Sequence, residues 1–141
     1  MEAEEMKIKL DEGAYLPTRA HETDAGLDIY TPVRIVLRPK DSVFIDSGVH
    51  AEIPSGYVGM LTSKSGIMRY DDVTTEGTID AGYSGSIGVK MFNHGDRLLI
   101  FRPGDKISQL VVVPCLIEDP ELVDEIASGD RGENGFGSTG R

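Results

Sequence analysis

The sequence predicts an all-β sandwich or barrel: its 141 residues hold short apolar runs, frequent turn-forming residues, and hardly any stretch with sustained helical periodicity. Seventeen Gly and seven Pro separate those runs, and the length suits one domain with a real core. In the first run, Met6 to Leu10, apolar Met6, Ile8 and Leu10 alternate with Lys7 and Lys9. That two-residue period is the mark of a half-buried strand. Further runs follow at Arg34 to Leu37, Ser42 to Ile45, Tyr57 to Leu61, Ser86 to Phe92, Leu98 to Phe101 and Ser108 to Val113. Only Ser65 to Tyr70 and Glu121 to Ser128 read as possible helices, and both are short enough to be irregular connections instead.

The composition excludes several classes of function. Fourteen Lys and Arg against 24 Asp and Glu give a net charge of −10, and no stretch is basic enough to neutralise a row of phosphates on a duplex. Nucleic acid is not an expected partner. Mean hydropathy is −0.20, and the most apolar stretch, Leu110 to Ile117, is far shorter than the roughly 20 residues that span a bilayer. Met1 to Glu5 are acidic, unlike a secretory leader, so no membrane and a cytoplasmic setting are expected. Cys115 is the only cysteine and lies in an apolar run, which excludes an internal disulfide and a thiolate zinc cluster and predicts a small core residue.

A compositional break follows Ala127. From Ser128 to Arg141 the chain carries Gly129, Gly132, Gly135, Gly137 and Gly140, with Phe136 as its one large apolar side chain. The expected organisation is a β domain over residues 1–127 and a flexible arm over residues 128–141. Within the arm, Gly135 to Gly140 fits G-x-G-x-x-G, but a dinucleotide fingerprint needs a strand before it and a helix after it, and the sequence ends one residue later. The Rossmann reading is set aside. Glycine amides, the Ser138 and Thr139 hydroxyls and nearby Arg131 would suit phosphate oxygens, and Phe136 offers a face for a base. A polar tail without a ligand has the same composition.

Other segments carry chemistry with a plainer alternative beside it. Gly77-Thr78-Ile79-Asp80-Ala81-Gly82-Tyr83 reads as a strand entering a hairpin, where Asp80 either stabilises the turn or serves as a general base toward a water. Tyr83 is a core aromatic or the wall of a sugar pocket. Ser63-Lys64-Ser65-Gly66 is a helix cap or an anion site with Lys64 as counter-charge. Ala25-Gly26-Leu27-Asp28-Ile29 either offers a second carboxylate, Asp28, beside a glycine that permits close chain approach or is a plain turn at a strand start, and Gly104 to Leu110 is a Gly-Asp turn entering a strand with Gln109 as an edge residue or an amide donor to phosphate. No G-x-S-x-G elbow occurs, and the histidines form neither an i, i+4 pair nor a deaminase zinc motif. A metal, if used, should be a hard cation carried on phosphate.

Taken in order, Ala25-Gly26-Leu27-Asp28, Ser63-Lys64-Ser65-Gly66-Ile67, Gly77 to Gly85, Gly104 to Leu110 and Arg131 to Gly140 resemble the five motifs of the homotrimeric dUTPase family of bacterial and phage type. The resemblance spans nearly the whole chain. It implies a β-jelly-roll subunit in a homotrimer whose active sites are shared between chains, cleaving dUTP to dUMP and pyrophosphate with Mg²⁺. Asp80 would activate the attacking water. Thr78, Ile79 and Gly88 would read the uracil edge through the backbone, with Tyr83 under the deoxyribose and Thr74 where an asparagine often assists. Asp28 would hold a water of the Mg²⁺ shell, while Lys64, Ser65, Gly66 and Gln109 bind phosphates. Phe136 would stack on uracil as Arg131, Gly137, Ser138 and Thr139 close over the triphosphate. Lys64 stands where arginine is usual, trading a bidentate fork for a point charge, and Asn134 replaces a common glycine. An interaction protein of the same fold, read by a regulatory protein partner in its nucleotide-bound state, is the alternative from another functional class. The related dCTP deaminases would need a different catalytic set.

Overall fold

In a computed structural model the chain is described over residues 5–137, 139 and 140, and its regular structure is ten strands with one short helix. The strands are β1 (Ile8–Leu10), β2 (Gly26–Tyr30), β3 (Ile35–Leu37), β4 (Ser42–Asp46), β5 (Val49–Ala51) and β6 (Tyr57–Thr62), followed after the helix α1 (Ser65–Asp71) by β7 (Val73–Ile79), β8 (Gly88–Asn93), β9 (Leu99–Phe101) and β10 (Lys106–Pro114). A six-stranded antiparallel sheet runs β2-β10-β6-β7-β8-β4, and the pairs β1-β5 and β3-β9 complete the wall. The sheet curls so that its concave face meets the two small pairs, giving a jelly-roll-like all-β body.

Alternation along each strand explains how the curl is filled. On β8, Val89, Met91 and Asn93 point inward while Gly88, Lys90 and Phe92 alternate with them. On β3, Ile35 and Leu37 are buried around exposed Val36. The same period places Ile29, Val49, Leu61, Val73, Ile79 and Leu110 in one continuous core. Each such side chain contributes about 1.5–3 kcal/mol by leaving water. Consecutive Ile107 and Ser108 are both buried, which strict alternation forbids. A register shift between Lys106 and Ser108 against β2 accounts for it, since a bulge adds one residue and turns two neighbours to the same face.

Polar groups inside the core are paired. Asn93 donates through Nδ2 to the carbonyls of Leu37 (3.1 Å) and Arg97 (2.8 Å), while its Oδ1 accepts from the Gly95 amide (2.9 Å). Thr75 and Ser108 share a hydroxyl bond of 2.6 Å, and Ser108 also donates to the Thr62 carbonyl (3.0 Å). Among the described residues no buried side-chain nitrogen or oxygen lacks a partner.

The strand expectations hold, as does the helix near Ser65. Two other expectations are corrected. Residues 121–128 contain no helix: Leu122 and Ile126, the apolar positions of the would-be stripe, are 100% and 89% exposed and find no surface to pack against among the described residues. Cys115 is half-buried rather than core, since it follows the end of β10 and only its amide is fixed, donating to the Gly56 carbonyl at 2.9 Å. Among the described residues no helix is long and apolar enough to cross a membrane.

Replacing Met91, which has no exposed surface, with Ala should cost about 2–5 kcal/mol by leaving a cavity between the curled sheet and the small pairs. Chemical denaturation of the two proteins checks this; a loss below half a kcal/mol would mean that the site collapses freely.

Candidate active site

Residues far apart in sequence meet in two places, and β7 connects them. The first lies where β2, β10 and β6 run side by side. Gln109 on β10 stands opposite Asp28 on β2 and Thr62 on β6. Its side chain lies directly over Gly26, where a Cβ would collide with the carboxamide, and its Nε2 donates to the Ser63 carbonyl at 3.1 Å. Glycine at 26 therefore admits the amide between the strands.

Asp28 is the electrostatic centre of this cluster. Its side chain is only 4% exposed, and it is bracketed by two ammonium groups, Lys64 Nζ at 2.5 Å from Oδ1 and Lys106 Nζ at 3.2 Å from Oδ2. Burial pushes the carboxyl up, but hydrogen bonds and charge from Lys64 and Lys106 outweigh it and hold the group below its ordinary 3.8. The same contact raises Lys106 above the usual lysine value.

The chain after β6 turns into α1 with Lys64 at the N-cap, and no side chain caps the helix. The Ser63 hydroxyl instead accepts from the Thr75 amide (3.0 Å) and donates to its carbonyl (3.3 Å), which pins the helix start onto β7. Ser65 and Gly66 are exposed, and nothing lies within 4 Å of where a Gly66 Cβ would sit. They follow directly on Lys64, which contacts Asp28 together with Lys106.

The second place is the β7–β8 hairpin. Val73 to Glu76 pair with Asn93 to Lys90, and the ladder stops there. From Gly77 onward β7 pairs with β6, through Gly77–Leu61, Thr78–Met60 and Ile79–Gly59, while Gly88 pairs with Asp46 on β4. Before it, Ile87 donates its amide to Val49 (2.8 Å) and its carbonyl accepts from Ser47. The two arms of the hairpin are thus drawn to opposite neighbours, and a pocket of about 190 Å³ opens between them. Thr78, Ile79, Asp80, Tyr83 and Gly88 line it together with Phe44 and Ser86.

Asp80 is exposed at the pocket edge, and its carbonyl accepts the Tyr83 amide at 3.0 Å to close the turn. Tyr83 is 47% exposed and donates its hydroxyl to the Ser86 carbonyl at 2.6 Å, which excludes the core-aromatic reading. The Phe44 ring covers Gly88 so closely that any Cβ there would collide with it. Phe44 was not singled out from sequence, although the alternation of Ser42 to Ile45 turns Val43 and Ile45 inward and leaves Phe44 outward, 65% exposed. An outward phenylalanine on a strand was the available signal.

The remaining candidates are placed as follows. Thr74 does not join Thr78, Ile79 and Gly88: it pairs with Phe92 at the closed end of the hairpin and shares a 2.6 Å bond with His94 Nε2. Residues 128–137 carry neither strand nor helix; Arg131 bonds the carbonyls of Asn134 (3.1 Å) and Gly135 (3.0 Å), and Phe136 is fully exposed. Gly137 adopts φ 80°, in the region that favours glycine, and Thr139 is exposed. Ser138 lies outside the described residues. Among the described residues no group of three or more His, Cys, Asp or Glu comes together to hold a metal.

Comparison with known proteins gives one consistent answer. The family model described as dUTPase matches residues 12–140. A deoxyuridine 5'-triphosphate nucleotidohydrolase from Clostridium tetani is 38% identical over 96% of this chain and 97% of its own length, and one from Nocardia farcinica is 40% identical over 94% and 82%. Among solved structures, a mutant dUTPase of Staphylococcus bacteriophage 80alpha with dUpNHpp superposes with a TM-score of 0.90 at 32% identity, covering 99% of this chain and 100% of that one. A mutant dUTPase from phage phi11 of S. aureus, in which a structural Mg(II) ion is coordinated, gives 0.82 at 31% identity over 89% of this chain and 100% of that one.

The ion cluster makes a prediction about acid. Because the folded Asp28 carboxyl titrates below its unfolded value, its stabilisation is present above pH 3.8 and is lost as pH falls through the folded value. Asp28→Asn should therefore cost about 1–3 kcal/mol at neutral pH through the bond to Lys64, and the gap from wild type should close on acidification. Thermal unfolding of both proteins between neutral pH and pH 3 checks it; a gap that is constant with pH would mean that the charge of Asp28 is irrelevant.

Proposed function

Because the chain belongs to the dUTPase family, we propose that it hydrolyses dUTP to dUMP and pyrophosphate, limiting uracil incorporation into DNA and supplying dUMP for thymidylate synthesis. The observation that carries the reading is the parted hairpin. Where β7 leaves β8, backbone groups of one arm lose their ladder partners on the other, and unpaired N–H and C=O groups seek others. A uracil ring presents alternating acceptors and donors along one edge, so main-chain groups at Thr78, Ile79 and Gly88 can satisfy it while being satisfied. A cytosine edge inverts part of that pattern and would leave groups unmatched. Tyr83, fixed by its bond to Ser86, would lie under the deoxyribose and leave no room for a 2′-hydroxyl.

Asp80 at the mouth of this pocket would orient a water toward the α-phosphate and accept its proton as the bond to the leaving pyrophosphate breaks. Phosphates would fall to Lys64, Ser65, Gly66 and Gln109. Lys64 would share its charge between phosphate and Asp28, since its ammonium already contacts that carboxylate. Mg²⁺ when bound would offset the charge of the triphosphate and of the developing leaving group. The residues fit a cation carried mainly by substrate: no protein cage is built among those described, and Asp28, with an ammonium on each oxygen, would reach the ion only through a water.

One chain does not bring these parts together. Ser63 is bonded to Thr75 on β7, and Asp80 lies five residues further on, just past the end of that strand, about 17 Å at the rise of a strand. A base that must touch a water at the α-phosphate cannot stand that far from the groups holding the triphosphate. A homotrimer in which Asp80 of one subunit faces Lys64 and Gln109 of another resolves this. The arm over residues 128–141 would supply the third contribution, with Phe136 on the base and Arg131, Gly137, Ser138 and Thr139 on the phosphates. Its glycines support that role, for no described residue lies within 4 Å of a Cβ at Gly135 or Gly137. Ordering the arm costs roughly 1–2 kcal/mol per residue, so only bound nucleotide would hold it shut. No observation on this chain favours the interaction-protein alternative.

Asp80→Asn keeps the shape of the turn and removes the base. Turnover of dUTP with Mg²⁺ should fall about 10²–10⁴-fold with little change in dUMP binding, and wild-type turnover of UTP should be far below that of dUTP. Pyrophosphate release assays measure both; near-normal turnover in the variant would reduce Asp80 to a turn residue, and equal use of UTP would remove Tyr83 as the sugar gate.

A further inference from the structure

Against the hairpin turn lies a second cleft of about 360 Å³ whose lining includes Lys7, Lys9, His50, Glu52, Tyr83 and Ser84. His50 connects that turn to the rest of the lining. It is the middle residue of β5, paired with Lys9 on β1, and its side chain is 20% exposed. Its Nδ1 is 2.8 Å from the Ser84 carbonyl, and its Nε2 is 3.0 Å from Asp11 Oδ1.

Both partners are acceptors only. A carbonyl and a carboxylate have no proton to give, so each contact requires the ring nitrogen to carry one, and only the imidazolium satisfies both at once. A neutral ring keeps one bond and turns a lone pair toward the other oxygen. Ser84 is the residue after Tyr83, in the turn that Asp80 opens. The opposite end of the turn is held separately, by Ser86 to Asp46 and by Tyr83 to the Ser86 carbonyl, with Asp46 fixed in turn by the Gly48 amide at 2.9 Å.

We propose that protonated His50 is a positioning residue for the nucleotide pocket, tying the Asp80–Tyr83 turn to the segment at Asp11 so that base and sugar wall keep their spacing. This rests on the reading that the parted hairpin holds the nucleotide. The charges facing His50 come from several elements. Asp11 favours the imidazolium, Lys9 opposes it, and Asp46 on β4 feels the same charge. Lys7 and Glu52 lie further along the cleft and contact one another at 4.0 Å. The hydrogen bonds to Ser84 and Asp11 lead, and the ring is held above its ordinary 6.5. The sign follows: with a raised folded value the clamp is complete below pH 6.5 and loosens as pH rises through the folded value.

Two readouts test this, one of them independent of catalysis. In the full-length protein, the His50 ring signals should titrate above 6.5, and the Tyr83 and Ser84 amide shifts should follow with the same midpoint. In dUTP kinetics with Mg²⁺, His50→Gln supplies one amide donor, as a neutral ring does, so wild type should exceed it about fivefold in kcat/KM near pH 6 and converge with it near pH 9. Asp11→Asn leaves the ring in place and should lower both the His50 midpoint and the pH at which kcat/KM begins to fall. That variant decides the matter if His50→Gln does not fold. A His50 midpoint at or below 6.5, hairpin amides that ignore it, or a wild-type to variant ratio constant with pH would overturn the proposal. A chain with no dUTP turnover but with coupled titration would keep the clamp and sink the function instead.

Discussion

The structure depends most on where β7 changes partners. A strand inside a sheet normally uses both edges along its length, because an unpaired backbone group buried among neighbours costs free energy. Here β7 pairs with β8 only as far as Glu76, then with β6 from Gly77, and β8 begins at Gly88 against β4. Gly77 helps to permit the handover, since a Cβ there would press on the Leu61 side chain. The hairpin is thereby held open by the sheet on both sides, and the pocket is a property of the fold. A loop would have to be frozen to achieve the same shape; a sheet wall arrives already fixed, which suits a site that reads a base through the main chain.

The same strand separates the chemistry. At one end, Ser63 and Thr75 fasten the start of α1, next to Gln109 and the buried Asp28 with its two lysines. At the other end stands Asp80. A rigid sheet cannot bend these ends together, so on the proposed reading complementary halves of the site would come from different copies. The exposed apolar residues after β10, among them Leu116, Leu122 and Ile126, fit the same account, since they stay exposed among the described residues.

Much of this was legible in the sequence, and the misses have physical causes. Alternation in Met6 to Leu10 and Ser86 to Phe92, and the turn signal at Asp80-Ala81-Gly82, revealed local order because they depend only on neighbouring residues. The five segments resembling family motifs led to Asp28, Lys64, Asp80 and Gln109 before any geometry was known. What local pattern cannot carry is the partner of each group. Ser63 lies in a segment that reads as a helix cap or an anion site, yet its hydroxyl goes to Thr75 on another strand. Lys106 had no assigned role until the bulge in β10 placed it on Asp28. His50, which belongs to no metal or catalytic pair, is significant only through Ser84 and Asp11, 34 and 39 residues away. The segment from Glu121 failed as a helix because its apolar stripe finds no partner among the described residues.

The central claim, that Asp80 of one copy serves phosphates held by another, is tested most directly by mixing two inactive proteins. Asp80→Asn and Gln109→Ala would be unfolded together and refolded as mixed trimers. Random assembly leaves about one quarter of the sites with an intact Asp80 and an intact Gln109 from different subunits, so dUTP turnover should return to about one quarter of wild type. If the mixture stays at the sum of its two inactive parents although mixed trimers have formed, each site is built within one chain and the account is wrong.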